Sequence, residues 1–308
     1  MSLRDFHPRD SHDRYSMYTG TYVASAEDHI SWSYEGPTGP KYWADLKLGG
    51  QNQCGLQKQS PIDIDVLKTR YDGSMSQLYF KSYDKATPNI TIVNTGHSIQ
   101  LNSPNWRQSV SGGPLPGSFN LLQMHFHWGK DSYRGAEHTV NGRRYPLELH
   151  MVHSQAAEPG HSASGRLAVI GIFFDLTEGE SNAGLQKITQ VIRDMRTHDS
   201  VDLRGALSPG ELLPGTKHFF TYQGSLTTPP CSEVVTWLVL RDPLKINERE
   251  LALFRTTLFE NNRTMVDNFR PIQMLNNREV ISSFVTASSS SLLASLPLMI
   301  ISAILCSR

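Results

Sequence analysis

Residues 119–129 read FNLLQMHFHWG, a short block of apolar and aromatic residues closed by a glycine. Blocks of this composition are typical of β-strands. Side chains two residues apart in a strand point to the same face, so Gln123, His125 and His127 share one face. Two imidazoles that point in one direction are suited to hold a metal ion. The stretch therefore predicts a strand that carries part of a metal site.

Similar blocks recur on both sides of this stretch and predict a mainly β domain with few helices. They are bounded by Gly, Pro, Asn and Ser clusters and comprise NITIVNTG at 89–96, LELHMVHS at 147–154, RLAVIGIFFDL at 166–176 and VVTWLVL at 234–240. Apolar residues at three- to four-residue spacing predict two helices, at 184–196 and at 247–258.

The block at 147–154 offers a third metal ligand. Alternation along the strand places Glu148, His150 and Val152 on one face and His153 on the other. An HxH pair often arises by chance, but a third histidine on a second strand, two residues after a carboxylate, favours a real site. Three neutral imidazoles with one open position are typical of a catalytic zinc.

Histidines that bind a metal need a partner for the second ring nitrogen, because that hydrogen bond fixes the tautomer and the ring orientation. Gln123 precedes His125 by two residues, and Glu148 precedes His150 by two residues, each on the face of its histidine. The run LTTPP at 226–230 predicts a rigid turn that can hold a threonine hydroxyl near the metal, although such a run is more often only a loop.

Composition excludes several classes of protein. The chain has 308 residues with 29 basic and 29 acidic side chains, and 38% of its residues are hydrophobic. The balanced charge argues against a nucleic-acid binder, since phosphate contacts need a basic excess. The apolar fraction is too high for a disordered chain. The sequence has no uninterrupted apolar stretch of about 18 residues, which excludes a polytopic membrane protein.

The two ends of the chain differ from its middle. The first 25 or so residues are polar and mixed in charge, unlike a secretory signal peptide. Towards the other end, Ser282 and Ser283, a spacer at 284–291 and the apolar block LLASLPLMIISAILC at 292–306 fit a glycosylphosphatidylinositol attachment signal. A marginal tail anchor and a disordered end are the alternatives, since the block is shorter than the roughly 20 residues that span a bilayer.

The cysteines and two sequons bear on the compartment. Cys54 and Cys231 lie in the globular region, whereas Cys306 lies in the segment that anchor processing would remove, which leaves an even pair. Sequons at Asn89 and Asn262 permit N-glycosylation. These features favour the secretory route and conflict with the missing N-terminal signal. Our hypothesis is that the native start differs, which N-terminal sequencing of the native protein tests.

Taken together, the motifs resemble the α-class carbonic anhydrases. The resemblance runs in family order from about residue 28 to 281, over about four-fifths of the chain. Besides the stretch at 119–129, it is carried by QSPIDI at 59–64, NTGHSIQL at 94–101, EHTVNGRRYPLELHMVHS at 137–154, LAVIGIFFDL at 167–176, GSLTTPPCSEVVTWLVL at 224–240 and NFRPIQ at 268–273.

The resemblance implies a catalytic domain at 28–281, built on a central twisted, mostly antiparallel β-sheet with a few peripheral helices. A polar arm at 1–27 precedes this domain, and the tail at 282–308 follows it. The resemblance also implies one zinc ion per chain, with His125, His127 and His150 as its ligands. Gln123, Glu148 and the backbone carbonyl of Asn268 would hold these three histidines.

Further residues take their roles from the same resemblance. Thr227 and Glu137 match the pair that orients a zinc-bound hydroxide, and Thr228 lies beside them. His97 matches the histidine that shuttles the proton, and Gln100 lines the same hydrophilic side of the cleft. The apolar wall for carbon dioxide is matched by Val152, Val169, Leu226, Val235 and Trp237. Cys54 and Cys231 match the disulfide of the extracellular members with a lipid anchor.

The implied function is the zinc-dependent, reversible hydration of carbon dioxide to bicarbonate and a proton, open to inhibition by sulfonamides. The implied location is the extracellular face of the plasma membrane, or secretion, with functional coupling to bicarbonate transporters and no nucleic-acid partner. Two other readings stay open: an inactive carbonic anhydrase-like binding or adhesion module at the cell surface, and a zinc hydrolase. The lack of an HExxH motif weighs against a zinc protease.

Overall fold

An extended β-sheet dominates the computed structural model, which describes residues 32–48, 50–155, 165–259 and 262–286. The polar arm predicted at 1–27 and the apolar block at 292–306 lie outside the described residues. The strands are β1 (Asp63–Ile64), β2 (Arg70–Tyr71), β3 (Leu78–Lys81), β4 (Thr91–Asn94), β5 (Ile99–Asn102), β6 (Ser109–Gly112), β7 (Phe119–Trp128), β8 (Thr139–Val140), β9 (Arg143–Arg144), β10 (Leu147–Gln155), β11 (Leu167–Leu176), β12 (Ser200–Asp202), β13 (Phe219–Gly224), β14 (Val235–Leu240), β15 (Leu244–Ile246) and β16 (Ile281–Ser282).

In the described part of the chain, thirteen strands form the main sheet, and ten of them follow the order β12-β4-β5-β7-β10-β11-β14-β13-β16-β2. In addition, β15 pairs with β11, β6 pairs with β7, and β3 pairs with β6. All pairs in this sheet are antiparallel except β11 with β14, β11 with β15, and β16 with β2. A separate small sheet joins β1, β8 and β9. The prediction of a central, mostly antiparallel sheet is therefore confirmed.

Both predicted helices exist but are shorter than predicted. The α-helices in the described ranges are α1 (Ala183–Thr189) and α2 (Glu248–Phe254), and the 3₁₀ helices are Gly36–Thr38, Pro40–Asp45, Val66–Lys68 and Pro209–Leu212. Beyond α1, Asp194 has a φ of 59°, which a continuing helix does not permit. Beyond α2, the N–H groups of Thr256 and Thr257 donate to carbonyls only three residues back, at Leu253 and Phe254, and the two threonine hydroxyls bond to the same carbonyls.

The alternation along β7 separates two faces. Met124, Phe126 and Trp128 are fully buried in the larger hydrophobic core, while Gln123, His125 and His127 face the other way. The pairing with β10 contains a register shift at Leu122, because Val152 pairs with Gln123 but His153 pairs with Leu121. This bulge lets Leu121 join the same core as Met124 although the two are three residues apart.

The packed part of the chain continues past residue 281. Ser282 in β16 is buried and pairs with Phe220, and the Ser283 N–H donates to the Phe219 carbonyl. The Phe284 ring packs against Phe220, 5.1 Å between centroids. A lipid attached at Ser282 or Ser283 would thus fall within a packed strand end. In the described ranges, no helix has the length and apolar character needed to cross a membrane.

Candidate metal centre

Two neighbouring strands bring the three predicted ligands together. His150 in β10 lies directly opposite His125 in β7, and His127 follows on the same face of β7. The candidate ligand atoms of the three side chains all lie within 4.8 Å of one another. His127 and His150 are buried, and His125 is partly exposed. The predicted cluster is therefore formed, with solvent access from the side of His125.

Each histidine has its second ring nitrogen engaged. His125 Nδ1 lies 2.9 Å from Gln123 Oε1, and His127 Nδ1 lies 2.7 Å from the Asn268 carbonyl oxygen. His150 Nε2 lies 2.8 Å from a Glu148 carboxylate oxygen. The amide, carbonyl and carboxylate oxygens in these contacts accept hydrogen bonds. Each histidine therefore carries its ring proton on the nitrogen that faces its partner. The contacts of Gln123 and Glu148 are those that the spacing predicts, and the contact of the Asn268 carbonyl is the one that the family resemblance implies.

The remaining nitrogens face one another with their lone pairs. His127 Nε2 and His150 Nδ1 are 3.1 Å apart, and neither carries a proton in the neutral ring that the outer hydrogen bonds select. Burial lowers the pKa of His125 and of His127, so both rings are neutral at physiological pH. Lone pairs this close repel unless a cation lies between them. Neutral imidazoles are the form that binds zinc, so the donor set fits that ion.

A buried carboxylate also faces the cluster. Glu137 Oε1 accepts a 2.7 Å hydrogen bond from the Arg270 backbone N–H. Glu137 Oε2 is buried, has no hydrogen-bond partner among the described residues and lies 3.5 Å from His127 Nε2. The predicted hydrogen bond between Thr227 and Glu137 is not formed in the described residues, although Thr227 is buried. An acceptor oxygen is thus available next to the metal position.

Apolar side chains form one wall beside the cluster. Val152, Val169, Val235 and Trp237 are buried in the second hydrophobic core, and Leu226 packs against it. The four buried residues lie on neighbouring strands, since Val152 pairs with Val169 and Val169 pairs with Trp237, whereas Leu226 lies in the turn after β13. The Trp237 ring meets His150 edge-on, 4.8 Å between centroids. The predicted apolar residues are therefore grouped next to a metal ligand.

The opposite side is polar. Gln100 in β5 pairs with His125 in register, and its amide donates to Asn102 Oδ1 at 2.8 Å. His97 is partly exposed and stacks on Trp32 with 3.8 Å between ring centroids. Thr228 is partly exposed in the turn between β13 and β14. These residues give the cluster one apolar and one hydrophilic flank.

A disulfide joins Cys54 to Cys231, with an S–S distance of 2.10 Å. This confirms the predicted pair. The Cys231 N–H donates to the Thr228 carbonyl at 2.9 Å, and this hydrogen bond closes the turn that carries Thr227. On the other side, the Cys54 carbonyl accepts from the Arg270 guanidinium at 3.0 Å.

Comparison with known proteins assigns the chain to a family. The family model described as eukaryotic-type carbonic anhydrase matches residues 38–284. The chain belongs to the eukaryotic-type carbonic anhydrase family. Carbonic anhydrase 7 of Mus musculus and of Homo sapiens are each 40% identical over 267 residues, 83% of this chain and 98% of the relative. Carbonic anhydrase 1 of Monodelphis domestica is 37% identical over 270 residues, 83% of this chain and 99% of the relative.

The chain is therefore a carbonic anhydrase, with carbon dioxide and bicarbonate as its substrate and product. A second line of contacts in this carbonic anhydrase was not predicted from the sequence. Glu148 also accepts from His138, through both the ring and the backbone N–H at 2.8 Å. His138 Nε2 lies 2.7 Å from the Tyr222 hydroxyl, which lies 2.9 Å from Ser60 Oγ.

This buried line fixes the carboxylate that holds His150. Burial acts to raise the pKa of Glu148, but the interactions with His138 and His150, including the hydrogen bonds that both rings make to the carboxylate, outweigh it and hold that pKa well below its usual range. Glu148 is therefore ionised in this carbonic anhydrase. His138 adjoins Glu137 in sequence, which is the only local hint of the network. Tyr222 and Ser60 lie far along the chain and share no motif with Glu148.

Proposed function

We propose that this carbonic anhydrase works with one zinc ion bound by His125 Nε2, His127 Nε2 and His150 Nδ1. The observation that carries the proposal is the convergence of three unprotonated ring nitrogens, two of them only 3.1 Å apart. Zinc at such a site makes water nucleophilic at neutral pH, as carbonic anhydrases in general illustrate. Glu148, Gln123 and the Asn268 carbonyl keep the rings in the required tautomers.

Other residues of the site bind the substrate and orient the Thr227 hydroxyl in this proposal. The wall of Val152, Val169, Leu226, Val235 and Trp237 binds apolar carbon dioxide and excludes water from that flank. Glu137 Oε2 lies next to the metal position and would accept from the Thr227 hydroxyl in the working enzyme, although the described residues do not form this bond; it would fix the direction in which that hydroxyl accepts. Thr228 is the partly exposed neighbour of Thr227 in the same turn.

Proton export is the role proposed for His97. An imidazole titrates near neutral pH and can pass a proton between water and buffer. His97 is partly exposed, stands on the hydrophilic flank and stacks on Trp32. Gln100 lines the same flank beside His125. This arrangement supports a path from the metal position to solvent.

The test replaces one ligand. His125→Ala removes one of three nitrogens without filling the site, so zinc content should fall from about one per chain to near zero and carbon dioxide hydration should fall to background. Zinc content by atomic absorption and stopped-flow hydration are measured on the same sample, with and without a sulfonamide. His218→Ala, an exposed histidine elsewhere, is the matched control.

Retained zinc in His125→Ala would remove the ligand assignment. Stoichiometric zinc without hydration activity in the wild type would favour the inactive binding module instead. Zinc with peptide or ester turnover but no hydration would favour a zinc hydrolase.

We also propose that the chain works in an oxidising compartment outside the cytosol. Structural disulfides are rare in reducing compartments, and the Cys54–Cys231 bond supports this placement. Asn89 and Asn262, the two sequon residues, are both exposed and open to glycosylation. Mass spectrometry of unreduced peptides from native protein tests the bond. Free thiols at both positions would overturn this location.

Attachment to the plasma membrane by a lipid is the finer form of this proposal. It rests on the apolar block at 292–306, while the packing of Ser282 and Ser283 weighs against these two residues as the attachment point. Release of activity from intact cells by a phosphatidylinositol-specific phospholipase is the expected result. Coupling to bicarbonate transporters follows only if the enzyme is held at that surface. Activity that stays with the cells after treatment would overturn the lipid anchor.

A further inference from the structure

Asn268 makes four hydrogen bonds from a fully buried position, and only the one made by its backbone was foreseen. Its backbone carbonyl accepts from His127 Nδ1 at 2.7 Å. Its side-chain oxygen accepts from the Trp128 N–H at 2.7 Å. Its side-chain nitrogen donates to the His97 carbonyl at 3.0 Å and to the Phe126 carbonyl at 3.2 Å.

These bonds connect two parts of the site, in addition to the pairing of β5 with β7 and to the Ser98 hydroxyl, which bonds the N–H and the carbonyl of Phe126. His97 lies in the turn between β4 and β5, whereas His127 lies near the end of β7. The Asn268 amide bridges the backbone of His97 and the backbone of β7. The same residue holds the imidazole of His127 through its carbonyl.

We propose that the Asn268 side chain is a positioning group that ties the His97 turn to the ligand His127. One residue then sets both the orientation of a metal ligand and the place of the proton carrier. The proposal rests on the zinc site and the His97 role proposed above. It concerns the side chain of Asn268, beyond the backbone contact already described.

Neighbouring contacts make Asn268 suited to this role. Asp267 accepts from the Lys130 N–H at 3.0 Å and pairs with Arg134 at 2.7 Å, and the Met265 carbonyl accepts from Trp128 Nε1. The segment is therefore held against β7 and the loop that follows it. Removing the Asn268 amide leaves this outer attachment in place but frees the carbonyl that orients His127. A loosely held ligand ring binds zinc less tightly.

The chain offers a matched control in Asn94. It is also fully buried and holds the same turn, with its amide donating to the carbonyls of Met195 and Leu258 at 2.9 and 2.8 Å. Its oxygen accepts from the Gly96 N–H at 2.9 Å. Asn94 therefore makes as many side-chain hydrogen bonds as Asn268, but to none of the metal-binding strand.

The experiment compares Asn268→Ala with Asn94→Ala in the zinc-loaded full chain. Zinc transfer to a chelator should be about 10- to 100-fold faster in Asn268→Ala than in the wild type, and close to the wild-type rate in Asn94→Ala. Hydration turnover in dilute buffer should fall in Asn268→Ala and recover with added imidazole. Circular dichroism checks folding. If the alanine variant does not fold, Asn268→Asp, which has the same size and keeps the oxygen, is judged by the same two readouts.

Three results would overturn the proposal. These are a wild-type rate of zinc loss in the Asn268 variant, equal acceleration in both asparagine variants, and faster zinc loss with no deficit that imidazole repairs. A wild-type protein that binds no zinc would instead refute the proposed function, so the two failures are distinguishable.

Discussion

At the scale of single residues, His97 is the side chain whose proposed role is easiest to isolate. His97→Ala removes the imidazole but not the metal ligands, so hydration should slow in dilute buffer while zinc content is unchanged. Added imidazole should restore the rate, because free buffer then carries the proton. Stopped-flow measurements over a buffer series provide the test, with His218→Ala as the control. An unchanged rate in dilute buffer would mean that another group exports the proton.

His153 gives a prediction for pH and stability. It is fully buried beside the Tyr83 hydroxyl and the Ala168 carbonyl, and burial lowers its pKa to about 4. In the unfolded chain its pKa is about 6.5, so between about pH 6.5 and 4 the unfolded state binds the proton first and the folded state loses stability. From pH 7.5 to 4.5 this loss is about 2–3 kcal/mol.

Urea unfolding of the wild type and of His153→Gln at both pH values measures that loss. The variant has no titrating ring at this position, so its stability should fall less on acidification, although it starts lower because the packing is altered. Equal pH dependence in the two proteins would contradict the neutral, buried state of His153.

The residues that hold the metal ligands show what sequence alone can predict. Gln123 and Glu148 stand two residues before their histidines, and a period of two is readable in any strand. The Asn268 carbonyl came only from the family resemblance, because a backbone group leaves no mark in the sequence. The Asn268 amide, Tyr222 and Ser60 reach the site through tertiary packing, over separations of 84 residues or more. No local pattern encodes such contacts.

At the scale of elements, the strands were more predictable than the helices. Apolar blocks mark β10, β11 and β14 because both faces of each are mostly buried, whereas β7 is buried on one face and partly open on the other. The bulge at Leu122 could not be predicted from the sequence. Leu121 and Leu122 are both apolar, so the alternation pattern fits either of them facing the core. Apolar periodicity also continued past the end of α1, because Ile192 and Met195 remain buried after the helix has ended. The spacing of these apolar residues shows which residues are buried and does not show where the helix ends.

Strand β11 packs closely against β10 at Gly171. Gly171 lies opposite His150, and a Cβ at this position would lie 3.0 Å from Glu148 Oε1. Gly171→Ala should push the carboxylate away from His138 and His150, lowering the melting temperature and speeding zinc loss about 10-fold. Thermal melting and chelator transfer measure both effects.

Gly179→Ala, where a Cβ meets only Thr177 Oγ1 at 3.6 Å, should change neither the melting temperature nor the rate of zinc loss. A Gly171 variant that matched the wild type would show that Glu148 can shift without loss.

At the scale of the whole molecule, one covalent bond joins the segment before β1 to the turn between β13 and β14. Cys54 and Cys231 are separated by 177 residues, so the disulfide restricts a large part of the unfolded chain. Replacing both with serine should lower the free energy of unfolding by about 2–5 kcal/mol. Hydration activity should fall as well, since Cys231 closes the turn that carries Thr227. Urea unfolding with and without reductant is the measurement. Reduced wild type should match the double variant, whereas a wild type indifferent to reductant would show that packing around Trp43 already holds both segments.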